Sequence, residues 1–218
     1  MIELERDGDV HVLRLRAGEN RFNPQLFDAL DDALDRVEKS EGAGALVTIG
    51  EGKFYSNGLD LGWLGGDGAA EAPEFLGRVH RLFARFLAFP LPTVAAMNGH
   101  AFAGGAMLAL CHDFRVMRAD RGYLCLPESD LKLPLTPGMN AVVTAKLSKF
   151  AAHEAIVTGR RYGGEECLAL RMVHQTAPES ELLARAVALA RPLAGKDRAT
   201  QAALKRRLYE RELAILEA

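Results

Sequence analysis

From Val10 to Ile49 the chain runs strand, helix, strand, and the same alternation then starts again, which confines it to the α/β class. Residues 2–16 read as two short strands around an Asp7-Gly8-Asp9 turn. Asn23-Pro24 opens a helix, because asparagine suits the N-cap and proline the first helical position. Leu26, Leu30, Leu34 and Val37 then recur at helical spacing, and an apolar strand follows over 45–49. In the second round, Gly65-Gly66-Asp67-Gly68 reads as a mobile stretch. A helix carrying Phe75, Val79, Leu82, Phe83 and Phe86 is stopped by Pro90 and Pro92. A strand over 93–97, an Asn98-Gly99 turn, a small-residue helix through Leu110 and strands over 114–117 and 123–126 complete the alternation.

Beyond Pro127 the pattern is mostly helical, over 141–147, 152–158 and 165–170, with Gly159 as a C-cap. A short strand is expected over 173–175, and two amphipathic helices over 179–194 and 198–216. The reading is one core domain, 1–176, and a helical C-terminal extension, 177–218. The stripe Leu182, Leu183, Ala186, Leu189 and Ala190 is too continuous for a lone helix in water, which suggests a partner subunit.

Charge and cysteine usage exclude several classes. The net charge is -2, so no global basic field exists to hold a nucleic-acid backbone. No stretch approaches the roughly 18 uninterrupted apolar residues of a membrane span, and the N-terminus lacks a secretory h-region. The 3 cysteines, Cys111, Cys125 and Cys167, form no CxxC pair and suit a reducing cytoplasm. The histidines show no HxxxH or HExxH spacing, so no metal site is expected.

Two segments place a glycine turn between a strand and a helix. In Ser56-Asn57-Gly58-Leu59-Asp60-Leu61, Gly58 lets the backbone turn sharply and leaves the Leu59 N–H without a ladder partner. In Ala103-Gly104-Gly105-Ala106, the missing side chains let a ligand approach the Gly104 N–H. Two such donors aimed at one point would form an oxyanion hole, worth about 3 kcal/mol per donor in a dry site. The same glycines would also serve as plain packing turns, and spacing alone does not separate the two readings.

FYSNGLDL (54–61) and NGHAFAGGAMLALCHDFRVM (98–117), followed by LPESDLKL (126–133), resemble the crotonase, or enoyl-CoA hydratase/isomerase, superfamily. The SNGLDL and CHD segments look most like the plant-type peroxisomal Δ3,Δ2-enoyl-CoA isomerases. The resemblance implies a spiral of ββα turns and an acyl-CoA thioester substrate, with no cofactor beyond the coenzyme A carried by that substrate. It also implies trimers or pairs of trimers, and a thioester oxygen held between the N–H groups of Leu59 and Gly104.

Family hydratases present two glutamates, at the positions matching Met107 and Glu128. Adding water needs both an activated oxygen and a delivered proton, and Met107 transfers none. One carboxylate suffices to move a proton from C2 to C4 of a 3-enoyl thioester, so the resemblance implies isomerisation with Glu128 as base and Asp130 in reserve. Read alone, Glu128 is more simply a solvated loop carboxylate. A hydratase, another CoA-thioester reaction or a non-catalytic acyl-CoA-binding scaffold are the alternatives. Ser56, Asn57, Asp60 and Met107 are expected to border the substrate, Asp60 anchoring its loop and Met107 as an apolar wall. In the family, the segment matching Asn20-Arg21-Phe22-Asn23 lies beside the adenine and its phosphates, so Arg21 would pair with phosphate and Phe22 would pack on the base. Many members carry a lysine where this chain has Gly62. Cys111-His112-Asp113 reads as a helix end meeting a strand, and Lys205-Arg206-Arg207 as a solvated face.

Overall fold

The computed structural model describes residues 1–218. β1 (Ile2–Asp7) and β2 (Val10–Leu15) form an antiparallel hairpin, and α1 (Pro24–Glu38) follows, with the Asn23 side chain accepting from the Leu26 N–H at 3.0 Å. Three rounds then share one plan, a strand in a large sheet, a strand in a small sheet and a helical segment. The first is β3 (Ala45–Gly50), β4 (Phe54–Ser56), α2 (Leu61–Leu64) and α3 (Ala72–Leu87). The second is β5 (Thr93–Met97), β6 (His100–Phe102) and α4 (Gly104–Cys111). The third is β7 (Phe114–Arg118), β8 (Leu124–Cys125) and α5 (Glu128–Leu131). Then come α6 (Pro137–Lys146), α7 (Lys149–Thr158), β9 (Arg161–Tyr162), α8 (Gly164–Ala169), β10 (Gln175–Ala177), α9 (Glu179–Ala190), α10 (Arg198–Leu208) and α11 (Glu210–Leu216).

The large sheet has the order β1-β2-β3-β5-β7-β10, parallel from β2 onward, and the small sheet the order β4-β6-β8-β9, parallel up to β8. Strand alternation divides the large sheet between two cores. Leu13, Leu15, Leu46, Ala95, Met97 and Met117 face the main core with α1, α3, α4 and α6. Val12, Val47, Val94, Ala96 and Val116 face a second core capped by Leu182, Ala186, Val187 and Ala190 of α9.

That second core corrects one expectation. The α9 stripe covers the chain's own β3, β5 and β7, so it supplies no argument for a partner subunit. Residues 65–68 are also not a loose stretch, because Gly68 lies under the Trp63 indole so closely that any Cβ would overlap the ring. The final strand forms two residues later than expected, where Gln175 pairs with Val116, while Met172 and Val173 are buried in the main core. The last helix breaks at Tyr209, whose hydroxyl meets Lys146 Nζ at 2.9 Å. Lys205 is buried rather than solvated, donating to Asp113 Oδ2 at 2.6 Å and Leu91 O at 2.8 Å. Cys111-His112-Asp113 is a helix end meeting a strand, and buried His112 bridges Leu108 O and Thr48 Oγ1, both at 2.8 Å. No helix is long and apolar enough to cross a membrane.

Candidate active site

Parallel pairing makes β4, β6 and β8 end at one edge of the small sheet, the kind of edge where parallel α/β folds bind ligands. Leu59, Gly104 and Glu128 each follow one of these strand ends within a few residues. Topology therefore brings together three residues spread over seventy positions.

The turn after β4 is built by a buried scaffold. Asn20 is fully buried at φ 51, in the left-handed region that asparagine tolerates, and its amide donates to Tyr55 O at 3.0 Å while accepting from the Ala17 N–H at 2.8 Å. Ser56 Oγ donates to Asn20 O at 2.8 Å and accepts from the Gly58 N–H at 3.2 Å. Asn57 is tied to Glu19 through both its backbone and its side chain, the latter at 2.7 Å. Phe22 brackets the turn, donating to Gly58 O at 2.7 Å and accepting from the Asp60 N–H at 3.0 Å. Asp60 caps α2 by accepting from the Trp63 N–H at 3.2 Å. Of the amides from Asn57 to Leu61, only that of Leu59 lacks a protein acceptor.

The second turn meets the first. A Cβ on Gly58 (φ 74) would lie 2.9 Å from the Gly104 nitrogen and 2.8 Å from Phe102 O, so only glycine permits the two turns to touch. One on Gly105 would overlap the Ser56 carbonyl. Ala103 donates to Cys125 O at 3.0 Å and takes φ 49, ψ −123, a conformation that costs a non-glycine residue about 1–3 kcal/mol. The Gly104 N–H that follows has no protein acceptor and opens α4, where the helix dipole favours negative charge.

Glu128 opens α5 directly after Pro127. Its carboxyl is partly buried and faces no cation, and Oε2 is enclosed without a hydrogen-bond partner. Burial disfavours the charged form and pushes its pKa up to about 7, against which its own N–H works in the opposite direction. Asp130, by contrast, is exposed, with Gly159 of the α7 C-cap packed against it. Of the two carboxyls only that of Glu128 is enclosed, which leaves Glu128 as the candidate base.

Two expected substrate contacts are corrected. Phe22 is fully buried, edge-on to Phe27 with centroids 5.3 Å apart, so it offers no face to an adenine. Ser56 is fully buried and its hydroxyl is committed to the turn. Asn57 and Asp60 act as struts of the same loop. Met107 is fully buried in the main core, one helical turn beyond Gly104. Arg21 remains exposed at the surface, paired with Glu19 at 2.7 Å. Sequence reasoning missed Asn20 and Ala103. Asparagine in a loop is a usable signal for a left-handed turn, whereas alanine carries none.

The enoyl-CoA hydratase/isomerase family model matches residues 5–214. Enoyl-CoA delta isomerase 3 of Arabidopsis thaliana is 38% identical over 204 residues, covering 90% of this chain and 86% of that protein. The peroxisomal enoyl-CoA delta isomerase 2 of the same plant is 35% identical over 230 residues, covering 99% and 95%. Among solved structures, an enoyl-CoA hydratase from Mycobacterium ulcerans superposes with a TM-score of 0.91 at 28% identity, over 99% of this chain and 94% of that one. With the matched model spanning nearly the whole chain and both free amides lying in the two turns that carried the resemblance, the protein belongs to the enoyl-CoA hydratase/isomerase family.

Proposed function

We propose that the protein is a Δ3,Δ2-enoyl-CoA isomerase, on one observation above all: a lone partly buried carboxyl, its pKa near 7, shares a sheet edge with two unpaired backbone amides. The thioester oxygen of a 3-enoyl-CoA sits between the Leu59 and Gly104 N–H groups. Glu128 removes a C2 proton; the C2–H electrons form the C1–C2 double bond as the thioester C1=O π electrons move onto the oxygen, giving a dienolate whose C1–C2 pair shifts to C2–C3 when C4 takes up the proton. The two donors stabilise that charge more than the neutral thioester, by about 3 kcal/mol each. Collapse of the dienolate returns the same proton from Glu128 to C4 and leaves the 2-trans double bond. A base whose pKa lies near the working pH suits both halves of this transfer. Hydration needs a second proton-transferring group, and Met107 is none.

Arg21 is the exposed cation next to the donor loop and would hold a CoA phosphate. A trimer in the cytoplasm remains part of this reading, on the family resemblance and the cysteine usage, and light scattering with cell fractionation tests both. The activity is tested with purified protein on 3-hexenoyl-CoA and crotonyl-CoA. Isomerisation of the first without hydration of the second is expected. Hydration as the dominant activity would assign the chain to the hydratases, and binding without turnover would make it an acyl-CoA-binding scaffold.

A further inference from the structure

We infer that Phe22 is a positioning residue for the oxyanion hole, holding the Leu59 donor through its backbone and the Gly104 donor through its ring; this rests on the isomerase reading for its catalytic consequence. The Leu59 N–H belongs to the same planar peptide as the Gly58 carbonyl, and in a trans peptide the two point in opposite directions. The Phe22 N–H grips that carbonyl at 2.7 Å, and Phe22 O takes the next free amide, Asp60, at 3.0 Å. Fixing the carbonyl fixes the direction of the donor. A hydrogen bond accepted by the carbonyl also polarises the peptide and strengthens its N–H.

The ring acts on the other donor. Its Cε2 lies 3.0 Å and its Cδ2 3.3 Å from where a Cβ on Gly104 would stand, so the ring edge fills the space that glycine leaves and backs the donor peptide. Behind it run Phe27, Phe75 and Trp63, with successive centroids 5.3, 5.1 and 5.0 Å apart. Trp63 belongs to α2, whose cap is Asp60, so the row of rings starts beside one end of the donor loop and finishes at the other. Phe22 touches both donor turns, one by backbone and one by side chain.

The test compares Phe22→Leu and Phe22→Met with Phe83→Leu, which removes an equally buried ring of α3 from the same core. All three are expected to lower Tm. Only the Phe22 variants are expected to lower kcat on 3-hexenoyl-CoA, by about 10–100-fold, with KM within about threefold. The second readout needs no turnover: acetoacetyl-CoA enolises when bound in an oxyanion hole, and its ultraviolet enolate band is titrated on each protein. In the Phe22 variants the apparent pKa of that enolisation should rise by about one to two units, matching the loss in kcat. Unchanged enolate titration and kcat, with only Tm lowered as in Phe83→Leu, would overturn the inference. An enolate shift in a protein whose parent does not isomerise would keep Phe22 in this role and remove the isomerase reading instead. Absence of any enolate band in the parent would overturn both. Phe22→Met preserves volume and carries the test should Phe22→Leu not fold.

Discussion

Asp113 and Glu128 are both carboxylates drawn away from solvent, and they are treated in opposite ways. Asp113 Oδ2 accepts from the Thr93 N–H at 2.8 Å, from Thr93 Oγ1 at 3.2 Å and from Lys205 Nζ at 2.6 Å. Around it the chain buries cations as well: Arg115 donates to Met172 O, Leu110 O and His112 O, and Lys146 is brought down to about 8 by burial. Glu128 has an enclosed oxygen with no donor at all. With three donors Asp113 is a joint that ties β5, the start of β7 and α10 together. A carboxyl oxygen left unpaired is easier to protonate, which suits the proton transfer proposed for Glu128. The chain supplies donors at Asp113 and withholds them from the enclosed Glu128 oxygen.

The sharpest way to break this contrast is Glu128→Gln. The amide keeps the shape and cannot take a proton, so kcat for isomerisation should fall about 10²–10⁴-fold, while affinity for a saturated acyl-CoA stays within a few-fold. Turnover near the parental rate would place the base elsewhere. At the joint the loss should appear in stability instead. Asp113→Ala leaves buried Lys205 with Leu91 O as its one acceptor, and urea unfolding should report a loss of about 3 kcal/mol. Lys205→Met should cost less, because Asp113 keeps both Thr93 donors. In both variants, kcat per folded molecule should match the parent; a large drop would mean that the joint reaches the site.

The pH profile sharpens the same comparison. Glu128 must be ionised to remove a proton, so kcat/KM should fall about tenfold per pH unit below an apparent pKa near 7. A profile flat to pH 5 would mean a base with an ordinary carboxylate pKa.

What was legible from the residues follows the range of the forces involved. The Asn23 cap, the α1 and α3 stripes, the Gly159 C-cap and the need for glycine at 58 depend on neighbours in the chain, and they appear where the spacing put them. The role proposed for Glu128 came from resemblance, since a Pro-Glu pair says nothing of the burial that perturbs it. Phe22, Lys205 and the α9 stripe were misread for one reason. Each is decided by a partner far along the chain: Gly104 for Phe22, Asp113 for Lys205, and the large sheet for α9. Ala103 was invisible for another reason. Its left-handed backbone is imposed by the hydrogen bond to Cys125 and the packing on Gly58, against its own preference.

The smallest expected effect comes from linkage between protonation and folding at Glu128. Its pKa rises from 4.5 to about 7 on folding, so the folded state holds this proton more tightly than the unfolded chain. Below about pH 4.5 both states are protonated, and the buried carboxyl carries no charge penalty. As pH rises toward 7 the unfolded chain ionises while the folded one does not, and stability drains away through this group until both are ionised. Glutamine has no proton to lose. The Tm of Glu128→Gln should therefore match the parent near pH 4.5 and exceed it increasingly up to pH 8, by a few degrees. The gain at neutral pH is the stability that burying an unpaired carboxyl at Glu128 gives up. A Tm difference that is flat across that range would mean that Glu128 finds a donor in solution, and the contrast with Asp113 would then collapse.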